Sequence, residues 1–514
     1  MSHSDTSTTL RPGESAASGR WPLRLWGALI VLCGALFLDA LDTSMVGVAL
    51  PSIRESLHLS TSSLQWVVSG YVLGYGGFLL LGGRAADLLG RRRVFLTALA
   101  VFAVASLLSG VVDDGSLLIA TRFIKGVSAA FTAPAGLSII TTTFAEGPDR
   151  NRALSIYTTC GAAGFSLGLV LSGLLTEAGW RWTLLVPAPV AALILVLGSK
   201  LIDRDRPTSI DAASGAAGGK RGYDILGAIS STASVLLLVF GIVRAPDAGW
   251  LSPATLGTFA AAVALGVAFV VVELRVANPL VRLGVLRSPS LIRALIGGGL
   301  MFGGYASFQF VVTQYLQTLS KWSALHTALA FLPAGLIVLF SSFKIANVLN
   351  RFGTARVGVA GFAFLSLGYL QFLRIGDTPS WWVILPSVVA LGLGFGMAFP
   401  AINVQAASGI ADEEQGLVSG LLNTALQIGI TVVLAASTAI IAANGGAGAK
   451  TNAQVLSSYR PVLVFVALAT VAGLLILASG LLRGERTPVE STLAEELEDE
   501  LDVLTLREQD VLIG

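Results

Sequence analysis

The chain has 514 residues, of which 54% are hydrophobic and 12% charged, and its mean hydropathy is +0.77. This composition excludes a soluble globular protein and predicts an all-α integral membrane protein. The formal net charge is only +2, and we expect no nucleic-acid partner.

Fourteen hydrophobic windows of about 20 residues predict membrane-spanning helices. The first window is too long for a cleavable signal sequence, so we expect it to stay in the mature chain. In chain order the windows are 25–50, 64–82, 94–112, 117–140, 153–175, 181–201, 225–245, 254–273, 292–317, 327–349, 356–375, 382–405, 417–443 and 461–482.

The basic residues indicate how these spans are oriented. If the N-terminus is cytoplasmic, most of the 33 lysines and arginines fall on the cytoplasmic side, including the clusters in segments 91–93, 200–221 and 275–293. This asymmetry satisfies the positive-inside rule. We therefore expect a multi-pass protein of the cytoplasmic membrane, with both termini in the cytoplasm.

An internal repeat divides the chain. Segment 83–93, between the second and third windows, is echoed by 346–356, between the tenth and eleventh, so that Gly90 aligns with Gly353. The repeat predicts two six-helix halves with two spans inserted between them. The predicted units are a cytoplasmic N-terminal tail 1–22, an N-terminal six-helix bundle 23–202, a cytoplasmic linker 203–222, two inserted helices 223–290, a C-terminal six-helix bundle 291–483 and an acidic cytoplasmic tail 484–514.

The loop between the second and third windows combines glycines, an acid and a run of arginines. Glycines allow tight turns, and an acid at a span end can pair with arginines in one conformation and release them in another. The pattern resembles the loop signature of the major facilitator superfamily, and the resemblance to its fourteen-span drug:proton antiporters covers nearly the whole chain. It implies a conformational latch; the alternative is that the arginines only set topology. The latch residues are Gly83, Asp87, Gly90, Arg91, Arg92 and Arg93.

The resemblance implies the major facilitator fold, with two pseudo-symmetric six-helix bundles plus two inserted helices. It also implies a proton-driven antiporter that exports a hydrophobic drug, antibiotic or toxic metabolite by alternating access. We expect no cofactor, with the proton motive force as energy source, and a monomer whose partners are the substrate, protons and the lipid bilayer. Proton-coupled uptake of a small metabolite is the alternative, because a fold does not fix the direction of transport. An enzyme is disfavoured, since the sequence has no clustered acids or histidines at the span ends.

Charged residues inside the spans mark a candidate coupling site. Asp39 and Asp42 share one face of the first span, and Arg122 and Lys125 share one face of the fourth at comparable depth. Lys125 stands where the related family motif has glutamine. Ionisable residues at this depth are costly and mark proton or substrate pathways by default. We hypothesise that Asp42, supported by Asp39, exchanges a proton under the influence of the two cations; the alternative is a static ion-pair cluster.

The fifth span carries Gly164, Gly168 and Gly173, in a pattern similar to the antiporter signature of the same family. Leu169 and Ser172 stand where that signature has proline and glycine. Close helix packing through small residues explains the glycines equally well.

A substrate cavity between the halves requires aromatic surface with a few polar groups. The ninth and thirteenth spans supply this mixture, although helix packing accounts for part of it. Asp42 would favour a lipophilic cation, whereas Lys125 favours a neutral or anionic compound, so the substrate charge stays open. The candidate cavity residues are Tyr305, Phe308, Gln309, Phe310, Gln314, Tyr315, Asn423 and Gln427.

Overall fold

The computed structural model describes residues 21–144, 148–203, 225–276, 283–376, 378–410, 415–445 and 452–482. The predicted acidic tail lies outside these residues, as do the N-terminal tail up to residue 20 and the linker from residue 204 onward.

Within these ranges the chain is helical and contains no strand. The helices are α1 Leu23–Ser56, α2 Thr61–Leu89, α3 Arg91–Val111, α4 Gly115–Thr143, α5 Pro148–Ala178, α6 Arg181–Leu185, α7 Pro187–Leu201, α8 Ile225–Ala248, α9 Pro253–Glu273, α10 Pro289–Gln314, α11 Ala324–Ser341, α12 Ile345–Phe352, α13 Thr354–Phe372, α14 Trp381–Ala407, α15 Gln415–Ala443 and α16 Asn452–Leu482.

The described helices account for all fourteen predicted windows. Thirteen segments are long and apolar enough to cross a membrane, with α6 and α7 forming one of them. The remaining window falls on α2, a helix of 29 residues. At about 1.5 Å per residue, each of these segments is of a length that spans a hydrocarbon core. The chain is therefore a multi-pass membrane protein.

The tenth span ends earlier than the sequence predicts. Helix α11 stops at Ser341, and α12 begins after a turn, at Ile345. None of the residues of α12 is buried in the protein. The prediction of one continuous span to residue 349 is wrong, because hydropathy does not distinguish a helix inside the bundle from an amphipathic helix at its end.

Two pseudo-symmetric bundles repeat the same helix pairings. In the first, α1 packs on α5, α2 on α4, and α3 on both α4 and α7. In the second, α10 packs on α15, α11 on α14, and α13 on both α14 and α16. Helices α8 and α9 pack against each other, and α8 also contacts α2 and α15. The predicted fold of two six-helix bundles with two inserted helices is confirmed.

The repeat extends to backbone conformation at its two aligned glycines. Gly90 separates α2 from α3 with φ = +93°, and Gly353 separates α12 from α13 with φ = +81°. Glycine adopts this left-handed region without the steric cost that a Cβ imposes. The same sharp turn is therefore built at equivalent places in both halves.

The two bundles are joined at one end of the molecule. Because the helices alternate in direction, the start of α1 and the end of α16 share one end, here called the terminal end, and the opposite end is the loop end. Near the loop end, Thr438 donates a 2.6 Å hydrogen bond to Gln65. At a similar level the amide of Gln317 donates to the carbonyl oxygen of Val48 at 2.9 Å. These bonds, and the packing of α5 on α11 and α2 on α15, close the loop end.

Candidate functional site: a buried charge cluster and an aromatic seam

Asp42 on α1 is held by two cations from α4. Arg122 Nη1 lies 2.5 Å from one carboxylate oxygen of Asp42, and the ammonium of Lys125 bonds to the other. Asp42 and Lys125 are 0% exposed and Arg122 is 2% exposed. The acids and bases predicted from the first and fourth spans thus meet inside the first bundle.

Close packing of α2 on α4 positions the two cations. A Cβ on Gly126 would overlap the carbonyl oxygen of Tyr71, and one on Gly74 would overlap the carbonyl oxygen of Phe123. Helices approach this closely only where small residues meet the neighbouring backbone. Gly126, next to Lys125, therefore helps to set the position of the two cations by allowing α2 and α4 to approach closely.

Each cation has a second interaction partner besides Asp42. Arg122 Nε donates to the carbonyl oxygen of Val67 at 3.2 Å, and its guanidinium lies 4.6 Å from the ring centroid of Tyr71. Lys125 Nζ lies 4.9 Å from the ring centroid of Phe102. A buried ion pair is tolerated when the remaining donors also find partners, and this cluster meets most of that requirement.

Asp39 lies one helical turn from Asp42 but has different surroundings. Its carboxylate accepts a hydrogen bond from the hydroxyl of Tyr71 on α2. Unlike Asp42, Asp39 is partly exposed, and it lines a cavity of about 10 Å³ between α1, α3, α4 and α5. This volume is close to what one water molecule needs.

The glycines of α5 make close helix contacts. A Cβ on Gly164 would overlap the backbone of Phe37, and one on Gly168 would approach the carbonyl oxygen of Leu41 to 2.8 Å. Gly173 faces the other bundle, where its Cβ would lie 2.7 Å from that of Ala328 on α11. These glycines thus set the spacing of α5 from α1 and from α11.

A series of aromatic rings runs along the junction of the two bundles, and we call it the aromatic seam. Tyr305 on α10 lies 5.9 Å from Phe165 on α5 and 5.0 Å from Phe395 on α14, measured between ring centroids. Phe302 continues the series to Phe395 at 5.7 Å and to Phe399 at 5.4 Å. Phe399, nearest the terminal end, is 38% exposed. The other four rings of the seam are half-buried.

Polar groups accompany the seam on α10 and α15. Gln309 lies one turn from Tyr305, and its amide packs directly on Gly47 of α1. Its Nε2 has no hydrogen-bond partner among the described residues. Gln427 on α15 faces Gly76 of α2 across the junction. Tyr305, Gln309 and Gln427 therefore lie where the bundles meet.

Other predicted cavity residues lie elsewhere. Phe308 packs against Phe331, Tyr369 and Phe372 in the core of the second bundle. The hydroxyl of Tyr315 donates to the carbonyl oxygen of Gly376. Phe310, Gln314 and Tyr315 are buried, and the amide of Asn423 donates a 2.9 Å hydrogen bond to the carbonyl oxygen of Ser419 on its own helix.

The predicted latch residues lie at the terminal end, around the turn at Gly90. Arg92 donates to the carbonyl oxygen of Ser199 at the end of α7, and Arg93 is exposed. Gly83 has open space around it, since its Cβ would find nothing nearer than Pro134 at 3.9 Å. Gly83, Gly90, Arg91, Arg92 and Arg93 belong to the described residues, whereas the side chain of Asp87 lies outside them.

Sequence reasoning missed several residues of both sites. Tyr71 and Phe102 complete the charge cluster, and Phe165 and Phe395 complete the seam. The closely spaced Tyr71 and Tyr75 on α2 were an available signal, because a tyrosine hydroxyl buried in a membrane requires a partner. No sequence signal distinguishes Phe165 or Phe395 from other apolar residues of a span.

Comparison with known proteins gives a consistent picture. The family model described as Major Facilitator Superfamily matches residues 32–434. The puromycin resistance protein pur8 of Streptomyces alboniger is 36% identical over 483 residues, covering 91% of this chain and 92% of that protein. The cephamycin export protein CmcT of Amycolatopsis lactamdurans is 35% identical over 447 residues, covering 86% of this chain and 89% of that protein.

A solved structure supports the fold independently of close sequence similarity. The crystal structure of the POT family transporter PepTSo has a TM-score of 0.63 at 17% identity, covering 89% of this chain and 97% of that one. At this identity the similarity concerns the fold alone.

Proposed function

Because the chain belongs to the major facilitator superfamily and is therefore a transporter rather than an enzyme, we propose that it exports a hydrophobic antibiotic or other toxic compound in exchange for protons. The relatives named for puromycin resistance and for cephamycin export support the direction and the substrate class. No cofactor is needed, because one charge crossing 100 mV contributes about 2.3 kcal/mol. That energy sustains a substrate gradient of roughly fiftyfold.

The observation that carries the proton-coupling part of this proposal is the buried cluster of Asp42, Arg122 and Lys125. Burying charges in a membrane protein is costly, and apolar residues of similar volume hold helices together at least as well. A pair of acids, Asp39 and Asp42, beside two cations offers protonation states that differ in how they bond to α2 and α4. A helix rearrangement that changes these bonds then loads or unloads a proton.

Alternating access follows from the two-bundle architecture. With the termini in the cytoplasm, as the positive-inside rule predicts, the loop end faces outward. The bonds of Gln65 to Thr438 and of Gln317 to Val48 then close the outer side. Transport requires these bonds to break while the terminal end closes. The loop 83–93 acts as the latch of that second state, with Asp87 and the arginines exchanging partners.

The substrate path follows the aromatic seam. Flat hydrophobic molecules stack on such rings, and the amide of Gln309 offers a hydrogen-bond donor at the inner end of the seam. Both carboxylate oxygens of Asp42 are already bonded, so the cluster presents no free anion to a cationic drug. The charge cluster and the aromatic seam both lie within one chain. We therefore propose that the monomer is the working unit.

Everted membrane vesicles test this proposal. A panel of ethidium, puromycin, a cephamycin and an uncharged dye is offered to vesicles with an imposed proton gradient, with and without a protonophore. Accumulation that the protonophore abolishes is expected for at least one compound, in vesicles that contain the protein and not in control vesicles. Accumulation only in right-side-out vesicles would instead establish uptake by symport.

A further inference from the structure

The two carboxylates of α1 are not equivalent. Both oxygens of Asp42 are occupied by cations, and the side chain has no exposed surface. Asp39 bonds to a neutral donor, the hydroxyl of Tyr71, and is partly exposed. A proton that reaches Asp42 has to displace a cation, whereas one that reaches Asp39 has to displace only a hydroxyl hydrogen bond.

A small cavity extends from Asp39 toward one end of the molecule. On α1 the cavity runs from Asp39 to Ala35, toward the terminal end. On α4, which is antiparallel to α1, it runs from Ala129 to Ala133, in the same direction. The cavity therefore extends from Asp39 toward the terminal end and has room for about one water molecule.

The charged and titratable groups around Asp39 come from four helices, while α3 contributes the apolar side chains of Leu99 and Phe102 to the cavity wall. These groups are Asp42 on α1, Tyr71 and Tyr75 on α2, Arg122 and Lys125 on α4, and Tyr157 on α5. With both aspartates ionised, two negative and two positive charges balance. One proton added to the cluster leaves a net charge of +1.

From this geometry we infer that Asp39 carries the exchanged proton, while Asp42 stays ionised as the fixed counterion of Arg122 and Lys125. This assignment rests on the proposed proton-coupled export. In the closed-loop-end state the proton leaves the Asp39 carboxyl for a cavity water, and the carboxylate then accepts the hydrogen bond of Tyr71.

Tyr71 connects this event to the junction between the bundles. It packs in one apolar cluster with Val72, Tyr75 and Leu79 of α2 and with Ile430 of α15. Helix α2 also forms the bond between Gln65 and Thr438 that closes the loop end. Protonation of Asp39 removes the charged acceptor of Tyr71 and so changes how α2 is held on its α1 side.

Two charge-balanced double variants separate the roles of the aspartates. Asp39→Asn with Lys125→Gln leaves the pair Asp42 and Arg122, while Asp42→Asn with Lys125→Gln leaves Asp39 and Arg122. Each variant is reconstituted in proteoliposomes with the parent protein. The first activity measured is accumulation driven by a pH gradient, and the second is counterflow exchange without a gradient. The substrate is puromycin, or ethidium if the parent protein transports only that compound. Counterflow reports a folded transporter that does not need the proton.

The expected result is asymmetric. The variant without Asp39 keeps counterflow but loses gradient-driven accumulation by at least tenfold, and its counterflow no longer depends on pH. The variant that retains Asp39 keeps gradient-driven accumulation and its dependence on pH, at a lower rate because Asp42 no longer holds Arg122, and Asp39→Glu keeps the pH dependence. Gradient-driven accumulation that survives loss of Asp39 but not loss of Asp42 would overturn the assignment, as would loss of counterflow in the first variant. A parent protein that shows counterflow without any gradient-driven accumulation would overturn the proposed proton coupling itself.

Discussion

The ammonium of Lys125 on α4 bonds to a carboxylate oxygen of Asp42 on α1, and both side chains are fully buried. Arg122 occupies the other oxygen of the same carboxylate. The lysine, which departs from the glutamine expected in the related family motif, thus adds a second positive charge to a single carboxylate. Asp39, one turn away, balances that extra charge.

Removing Asp42 alone should destabilise the protein strongly. Asp42→Asn leaves two buried cations without their anion, a loss that typically costs about 3–5 kcal/mol. Adding Lys125→Gln should recover part of this loss because one of the two cations is then gone. Thermal unfolding of the purified protein in detergent measures both effects. An Asp42→Asn protein as stable as its parent would contradict the ion-pair geometry.

Removing the hydroxyl of Tyr71 should affect proton coupling more than folding. Tyr71→Phe keeps the ring that stacks on Arg122 but loses the hydrogen bond to Asp39. Hydrogen bonds to charged groups contribute about 1.5–3 kcal/mol, so gradient-driven transport should fall by about tenfold or more. Tyr75→Phe, one turn along α2, is the matched control. Equal effects of the two variants would show that the bond to Asp39 has no special role.

The glycines of α5 should tolerate no added methyl group. In Gly168→Ala the new Cβ meets the carbonyl oxygen of Leu41 at 2.8 Å, and overpacking of this kind costs about 1–3 kcal/mol. Gly257→Ala on α9 is the control, because nothing lies within 4 Å of its Cβ, and alanine favours the helix. The unfolding temperature should fall for the first variant and stay equal or rise for the second.

A cross-link at the loop end should stop transport reversibly. In a background with Cys33 and Cys160 replaced by alanine, Gln65→Cys with Thr438→Cys joins α2 to α15, where the native side chains form a 2.6 Å bond. Oxidation should abolish export, and reduction should restore it.

The control cross-link lies within the inserted pair, between Ser234→Cys and Ala262→Cys, whose parent residues are joined by a 2.8 Å hydrogen bond. This cross-link should leave transport intact, because α8 and α9 pack against each other as the inserted pair and the bond does not join the two bundles. Export that continues through a complete cross-link of α2 to α15 would show that the loop end does not open during transport.

The spans and the charge cluster were predictable from sequence for the same reason. A run of about 20 apolar residues is long enough to fix a span, and the rise per residue then fixes how deep each charged side chain lies. The sequence therefore places Asp42, Arg122 and Lys125 at one level without any information on helix packing. Because an unpaired charge inside a membrane is costly, opposite charges buried at one level of a bundle are expected to form ion pairs.

The rotation of each helix about its own axis was not predictable. In a soluble helix the polar face marks the outside, but nearly every face of α10 is apolar. The sequence therefore could not tell that Tyr305 faces the junction while Phe308 faces the core of its own bundle. For the same reason no sequence pattern identifies Phe165 and Phe395 as partners in the seam. Glycines that meet neighbouring backbones, such as Gly126, fix these rotations only once the partner helix is in place.

The most direct test of the account is the direction in which protons move when the substrate drives transport. Proteoliposomes containing the protein and a pH-sensitive dye are loaded with a substrate from the panel and diluted into substrate-free buffer at the same pH, with the membrane potential clamped. Antiport predicts that the lumen acidifies as the substrate leaves. A lumen that becomes alkaline would establish symport, and a constant pH during substrate efflux would contradict proton coupling.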